Sequence, residues 1–263
     1  MSGFKQTYPM RMDLYLASKG LVYSRTRAEE YIRSGFVSLN GVRVTKASQL
    51  VRESDDVKLH DTNPYVSRAA LKLVGANKKF KVDFAGKIVL DVGSSTGGFT
   101  EYALKAGAKK VIAVDVGTDQ MHPQVASNPR VELHEKTDIR DFRTKDKIDI
   151  VVCDVSFISL RYILDDILKL VKRSTLLMLM CKPQFEAGKE HVNKGVIKNE
   201  AIRRKILADF EQWLKTKSVV LDKVDSDTPG EKGNVERFFL VKIRFNIVGR
   251  NLLHKGSITL FVQ

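Results

Sequence analysis

The segment Ile88-Val-Leu-Asp-Val-Gly-Ser-Ser-Thr-Gly-Gly-Phe-Thr100 constrains the fold more than any other stretch of the chain. A largely apolar run reads as a buried strand. Glycines at 93, 97 and 98 then force a tight turn into a helix, the opening of a parallel α/β unit. Apolar runs recur at Val111–Val116, Ile148–Cys153 and Leu176–Cys181, with a weaker one at Val131–His134. Helix-length segments separate the first two and the last two of the main runs. This rhythm predicts an open, mostly parallel sheet covered on both faces. Val219–Val224 and Arg237–Phe245, separated by a Gly/Pro/Asp-containing loop, predict an antiparallel closing pair and bring the sheet to seven strands. The expected α/β domain covers residues 67–246. Residues 247–263 form an extension in which Ser257–Val262 is strand-like and has no evident role.

The first sixty residues follow another pattern. Met12, Tyr15 and Leu16 have helical spacing ended by Gly20, and Ser24 is placed to cap a second helix ended by Gly35. Phe36–Val44 alternates around Asn40-Gly41, a strong hairpin signal, and Val57–Leu59 reads as a further short strand. A small α+β domain over residues 1–60 is expected, followed by a linker at 61–66.

Charge narrows the partners. With 45 basic and 31 acidic residues the chain carries +14, which favours a polyanion. The excess lies on both sides of a near-neutral middle, residues 111–180, as expected for a folded body with a basic face around a pocket. Arg11, Arg25, Arg27 and Arg33 in the small domain and Arg68 before the sheet are the candidate contacts to such a polyanion. The longest apolar run, Leu176–Cys181, is far short of the ~20 residues that span a bilayer. The first eleven residues show no apolar leader. Cys153 and Cys181, each ending an apolar run, read as buried thiols of a reducing compartment. A cytoplasmic protein without stable membrane association is expected, and no metal-ligand cluster is evident.

The glycine turn suggests a ligand. Its spacing, G-x-x-x-G-G, differs from the G-x-G-x-x-G of pyrophosphate binders. Asp91 at the strand end repels phosphate but suits an amino-acid-like ammonium. Asp115, at the end of the next strand, is placed to accept ribose hydroxyls. Asp138, after the third, is a candidate for an adenine amine. Carboxylates at three successive strand ends favour S-adenosylmethionine over a nicotinamide dinucleotide, with Gly93, Ser94, Ser95, Gly97 and Gly98 forming the cradle.

A second set is scattered along the chain: Lys72 in Ser67-Arg-Ala-Ala-Leu-Lys72, Asp154 after the fourth strand, Lys182 after the fifth, and Glu236 before the last. Carboxyl ends of parallel strands converge on one crevice, so Asp154 and Lys182 should meet there. A hydroxyl attacking a methyl group needs a proton acceptor. Lys182 is the candidate, provided that Lys72 and a dry site bring its pKa toward neutrality, a like-charge effect. Asp154 and Glu236 would orient the amines.

These residues carry a family resemblance. Arg11-Met-Asp-Leu-Tyr-Leu, Ser24-Arg-Thr-Arg-Ala and Val37-Ser-Leu-Asn-Gly41 resemble a small RNA-binding domain first described in a ribosomal protein. Ser67–Leu73, Asp91–Thr100, Cys153-Asp154 and Lys182-Pro183 resemble FtsJ-like ribose methyltransferases. In this order the two parts resemble the TlyA-type hemolysin A family. The resemblance implies a Rossmann-like methyltransferase, S-adenosylmethionine as cofactor, and ribosomal RNA or ribosomal subunits as partner. It also implies 2′-O-methylation of cytidine by a Lys72-Asp154-Lys182-Glu236 tetrad. Two alternatives remain at this stage: a membrane-acting cytolysin, as the hemolysin label suggests, and an RNA-binding protein without catalysis. The sequence offers no insertable amphipathic segment for the first, and the intact acids and lysines speak against the second.

Overall fold

The computed structural model describes residues 7–22, 24–33, 35–60, 65–188, 192, 195–230 and 233–244, with Glu30 described in its backbone alone. Ser257–Val262, the end of the expected strand at Phe245 and most of the expected linker lie outside these residues. The chain divides into two compact units, residues 1–64 and 65–263.

In the first unit, β1 (Met10–Arg11) leads into α1 (Met12–Ser18) and α2 (Arg25–Arg33), followed by β2 (Val37–Leu39), β3 (Val42–Val44), β4 (Leu50–Val51) and β5 (Val57–Leu59). Ser24 caps α2 as expected, its Oγ accepting from Arg27 N at 3.2 Å. Asn40 and Gly41 both have positive φ, which matches the twist of the β2–β3 hairpin. Strand β5 pairs with the other side of β2, giving a three-stranded sheet. Met12, Leu16, Ala28, Ile32, Val37 and Val51 close a small core. Asp13, unremarked in the sequence, is fully buried and accepts from Arg11 Nε at 2.9 Å and Arg25 Nε at 2.8 Å. Burial opposes its charge, but the two guanidinium groups outweigh it and hold the carboxyl below its usual range.

One expected RNA contact is corrected here. Arg27 is only 5% exposed; it donates to Tyr31 Oη at 2.8 Å and lies over the Tyr31 ring. Its place on the inner side of α2 gives it to the core. Arg11, Arg25 and Arg33 keep substantially exposed side chains.

In the second unit, α3 (Arg68–Phe80) precedes β6 (Ile88–Val92), α4 (Gly98–Lys105), β7 (Lys110–Val114), the short α5 (Pro123–Ala126), β8 (Val131–His134) and β9 (Ile148–Cys153). Then come α6 (Leu164–Lys169), β10 (Val171–Cys181), the short α7 (Pro183–Glu186), α8 (Glu200–Lys217), β11 (Ser218–Asp225) and β12 (Arg237–Ile243). The seven strands run in the order β11-β12-β10-β9-β6-β7-β8. All pairs are parallel except the two made by β12.

Strand alternation fills two cores. Val89, Val111, Val152, Met178 and Phe238 pack beneath α3 and α4 through Leu73, Phe99 and Ala103. Leu90, Ile112, Val151, Leu177 and Phe239 pack against α6 and α8 through Leu164, Ile167, Leu207 and Phe210. The central strands are covered on both faces, which is why they read as largely apolar runs. The chain leaves β6 toward β7 on one side, and β9 pairs on the other, so a crevice opens at the carboxyl ends of β6 and β9.

Candidate active site

Register brings the site residues to one rim of this sheet. Val92 and Cys153 are paired across β6 and β9, and Asp154 N donates to Val92 O at 3.0 Å, so Asp154 stands beside Gly93. Cys153 also pairs with Leu179 on β10, which carries Lys182 just past the same edge. Because β12 is antiparallel to β10 and Cys181 pairs with Arg237, Glu236 emerges there too. Lys72 reaches the rim from α3, whose Leu73 and Ala76 anchor it on the sheet.

The four residues form two ion pairs. Lys182 Nζ lies 2.6 Å from Asp154 Oδ1 and donates to Ser156 Oγ at 2.6 Å. Lys72 Nζ lies 3.2 Å from Glu236 Oε1. All four side chains are largely buried; that of Glu236 is 3% exposed, and its Oε2 has no hydrogen-bond partner among the described residues. Each amine is thus paired with a carboxylate, whereas the sequence expectation set the two amines against each other. Ser156, two residues beyond Asp154, escaped notice because a serine in a loop carries no spacing signal.

The glycine turn is built for close approach. Gly93 has φ +81°, and a β-carbon there would sit 2.8 Å from Asp154 O. At Gly98 it would sit 2.1 Å from Ser67 Oγ and 3.0 Å from Ala70 N. Gly97, at φ +89°, and Ser94 complete the turn. Asp91 points toward α4 and is fully buried, its Oδ2 accepting from Thr100 Oγ1 at 2.6 Å. Burial pushes its carboxyl up to about 7; Thr100 counters this, and the negative charges of Asp154 and Asp115 add to it. The buried atoms Asp91 Oδ1, Ser94 Oγ and Ser67 Oγ have no hydrogen-bond partner among the described residues. Buried polar atoms are rarely left so, and they call for a polar ligand. Ser67, a capping-type residue before α3, was not singled out by sequence.

Beyond the turn lies a cavity of about 410 Å³, within the range of small-molecule sites. Gly93, Ser95 and Asp115 line one part, Asp138 and Ile139 another, Asp154 and Phe157 a third. Asp115 is fixed by amides, Oδ2 accepting from Ser95 N at 2.8 Å and Oδ1 from Gly117 N at 2.7 Å. Each oxygen retains a lone pair for a ribose hydroxyl. Asp138 is more committed: Oδ1 accepts from Arg140 N and Nε, and Oδ2 from Arg140 Nη2 at 2.6 Å. One lone pair, on Oδ2, stays open. Arg140 holds the Asp138 carboxyl below its usual range. Arg68 sits on the first turn of α3 and donates to Pro229 O at 3.3 Å.

A doubly covered sheet in this strand order, with a glycine turn and acids after its first strands, defines a Rossmann-like methyltransferase. Residues 65–244 match the FtsJ-like methyltransferase family, and residues 10–57 match the S4 domain. The chain belongs to the FtsJ-like methyltransferase family, whose cofactor is S-adenosylmethionine. It is 38% identical over 252 residues to the 23S rRNA (cytidine-2′-O)-methyltransferase TlyA of Campylobacter jejuni, covering 88% of this chain and 98% of that one. It is 37% identical over 233 residues to Hemolysin A of Brachyspira hyodysenteriae, covering 86% and 97%. A solved structure from Streptococcus thermophilus, named as a hemolysin, superposes with a TM-score of 0.71 at 32% identity, covering 90% of each chain.

The groups around the glycine turn and cavity fit this cofactor. A buried carboxylate oxygen without a partner suits its ammonium, and two unpartnered hydroxyls suit its carboxylate. Asp115 suits its ribose, and the apolar wall with Asp138 suits its base.

Proposed function

We propose that this chain methylates the ribose 2′-hydroxyl of cytidine in ribosomal RNA, as the name of its Campylobacter jejuni relative states for that protein. The observation that carries the reading is the pair of buried Lys–carboxylate contacts at the rim where the glycine turn and the cavity meet. When bound, S-adenosylmethionine supplies an electrophilic methyl group. Asp91, Ser94 and Ser67 would hold its amino-acid end, Asp115 its ribose, and Asp138 its base.

Lys182 Nζ would take the hydroxyl proton while the 2′-oxygen bonds to the methyl carbon and the carbon–sulfur bond breaks, the thioether leaving with the electron pair. It does so as the free amine, because an ammonium can only donate. Asp154 and Ser156, both at 2.6 Å, fix the direction of Nζ. Lys72 and Glu236 orient the ribose and balance charge. Most of the advantage comes from holding oxygen and methyl group in line.

The nucleotide must leave its helix to reach this site. Phe157 supplies a surface for its base: it is 92% exposed, next to Ser156, and its ring lies 5.4 Å from that of Phe185. Its φ of +66° is costly for an aromatic residue, as strain at working positions often is. Ribosomal subunits in the cytoplasm are the substrate form, with Arg11, Arg25, Arg33 and Arg68 contacting phosphates. Such contacts make affinity fall with salt. Among the described residues no helix is long and apolar enough to cross a membrane.

Incubation of ribosomal subunits with the protein and methyl-labelled cofactor tests the reading. A label recovered in an alkali-resistant dinucleotide containing cytidine supports it. Label on a base, or none with any subunit preparation, counts against it.

A further inference from the structure

Glu236 is the least supported member of the tetrad by its own contacts. It sits at the end of a loop, and its buried Oε2 makes no hydrogen bond. Something else must fix its direction. The residues on either side of it are bound into one charge network that the buried Arg203 of α8 joins to the sheet.

Arg203, only 6% exposed on α8, donates from Nε to Val235 O at 2.9 Å, and its Nη2 lies 3.0 Å from Asp225 Oδ2. Asp225, the last residue of β11, in turn accepts from Arg237 Nε at 2.5 Å and Nη2 at 3.0 Å. The backbone just before Glu236 and the side chain just after it are therefore tied to the same guanidinium–carboxylate pair. Ser226 N adds a hydrogen bond to Glu236 O at 2.8 Å.

We infer that Arg203 is a positioning residue for methyl transfer: it clamps residues 235–237 and so aims the Glu236 carboxylate at Lys72. The inference rests on the proposed role of the tetrad. Its alternative is that Arg203 merely joins α8 to the sheet, as many buried arginines do. The two differ in what they change. A general brace alters stability and every ligand together. An aiming device alters turnover through Glu236 alone, and small misplacements of reacting groups can cost about 100-fold.

The test is a double-mutant cycle on the full chain with ribosomal subunits, using Arg203→Lys, Arg203→Met and Glu236→Gln. The cofactor dissociation constant and melting temperature of each variant are measured alongside. The expected result is a fall in kcat of about 10- to 100-fold for Arg203→Met with the cofactor dissociation constant held within about twofold. Arg203→Lys, which can still reach Asp225, should recover part of the loss. In the Glu236→Gln background, removing Arg203 should cost little more, because residues that act as a unit are not additive. Full additivity, or equal losses in cofactor affinity and turnover, overturns the positioning role while leaving the tetrad intact. If Arg203→Met does not fold, the Lys variant alone carries the cycle with the same criteria. Glu236→Gln with undiminished kcat overturns both this inference and the Glu236 assignment, whereas Lys182→Ala reports on the rest of the tetrad separately.

Discussion

Replacing Asp91 by asparagine should separate stability from binding at the glycine turn. The carboxyl is fully buried and titrates near 7, against an ordinary value near 3.8, because burial disfavours its charge more than the Thr100 hydrogen bond favours it. Between about pH 4 and 7 the unfolded chain has released this proton while the folded one retains it. The folded state therefore loses stability as pH rises through that window and levels off above about 7. A shift of roughly three units corresponds to at most about 4 kcal/mol. Asp91→Asn keeps the shape and the Thr100 contact but removes the charge. At pH 8 the ligand-free variant should melt several degrees above the parent, at about 2–4 °C per kcal/mol for a chain of this size. Near pH 5 the gap should fall to less than half of that. The same substitution removes the counter-charge to the cofactor's ammonium, and losing one partner of a buried charged pair costs about 2 kcal/mol or more, at least ~30-fold in affinity. Thermal melts from pH 5 to 8 and calorimetric titration with S-adenosylmethionine read both effects. A variant that melts lower than the parent by the same amount at every pH, or binds the cofactor with undiminished affinity, would refute the reasoning.

Gly93→Ala puts a β-carbon 2.8 Å from Asp154 O at φ +81°; urea unfolding should show a loss of about 1–3 kcal/mol, with cofactor affinity falling alongside. Phe210→Ala empties a fully buried position between α8 and the sheet and should cost about 3–5 kcal/mol in the same assay. Arg27→Ala and Arg33→Ala should behave oppositely: the buried Arg27 should lower the melting temperature, whereas the exposed Arg33 should leave it unchanged. Arg33→Ala should instead weaken RNA binding and reduce its salt slope by about one, as measured by filter binding.

The architecture was largely legible because both sheet faces are covered. Ile88–Val92 and Ile148–Cys153 are apolar but for Asp91 and Asp149, denser in apolar residues than a half-exposed strand needs, and the structure places both strands at those positions. The Asn40-Gly41 hairpin was equally plain, since few residue pairs adopt two positive φ values. Strand order brings Asp154, Lys182 and Glu236 to one rim, and the first two follow from the rule that parallel strand ends share a crevice.

Which groups pair was not legible. That Lys72 faces Glu236 across more than 160 residues depends on β12 running antiparallel to β10 in one register, which composition does not encode. Arg27 lies inside because its guanidinium stacks over Tyr31 one turn along α2, on the same side as Ala28, while Arg25 and Arg33 stay exposed. Asp13 and Arg203 are buried charges that each have one local partner, Arg11 and Glu200, but their other ion-pair partners, Arg25 and Asp225, lie 12 and 22 residues away, where local spacing carries no information.

The central claim is that Lys182 receives the hydroxyl proton during methyl transfer, and Lys182→Ala tests it most directly. Single-turnover transfer from a saturating cofactor to bound ribosomal subunits should be lost, while calorimetry shows the cofactor bound within a few-fold of the parent affinity. Undiminished single-turnover transfer by Lys182→Ala would contradict the account.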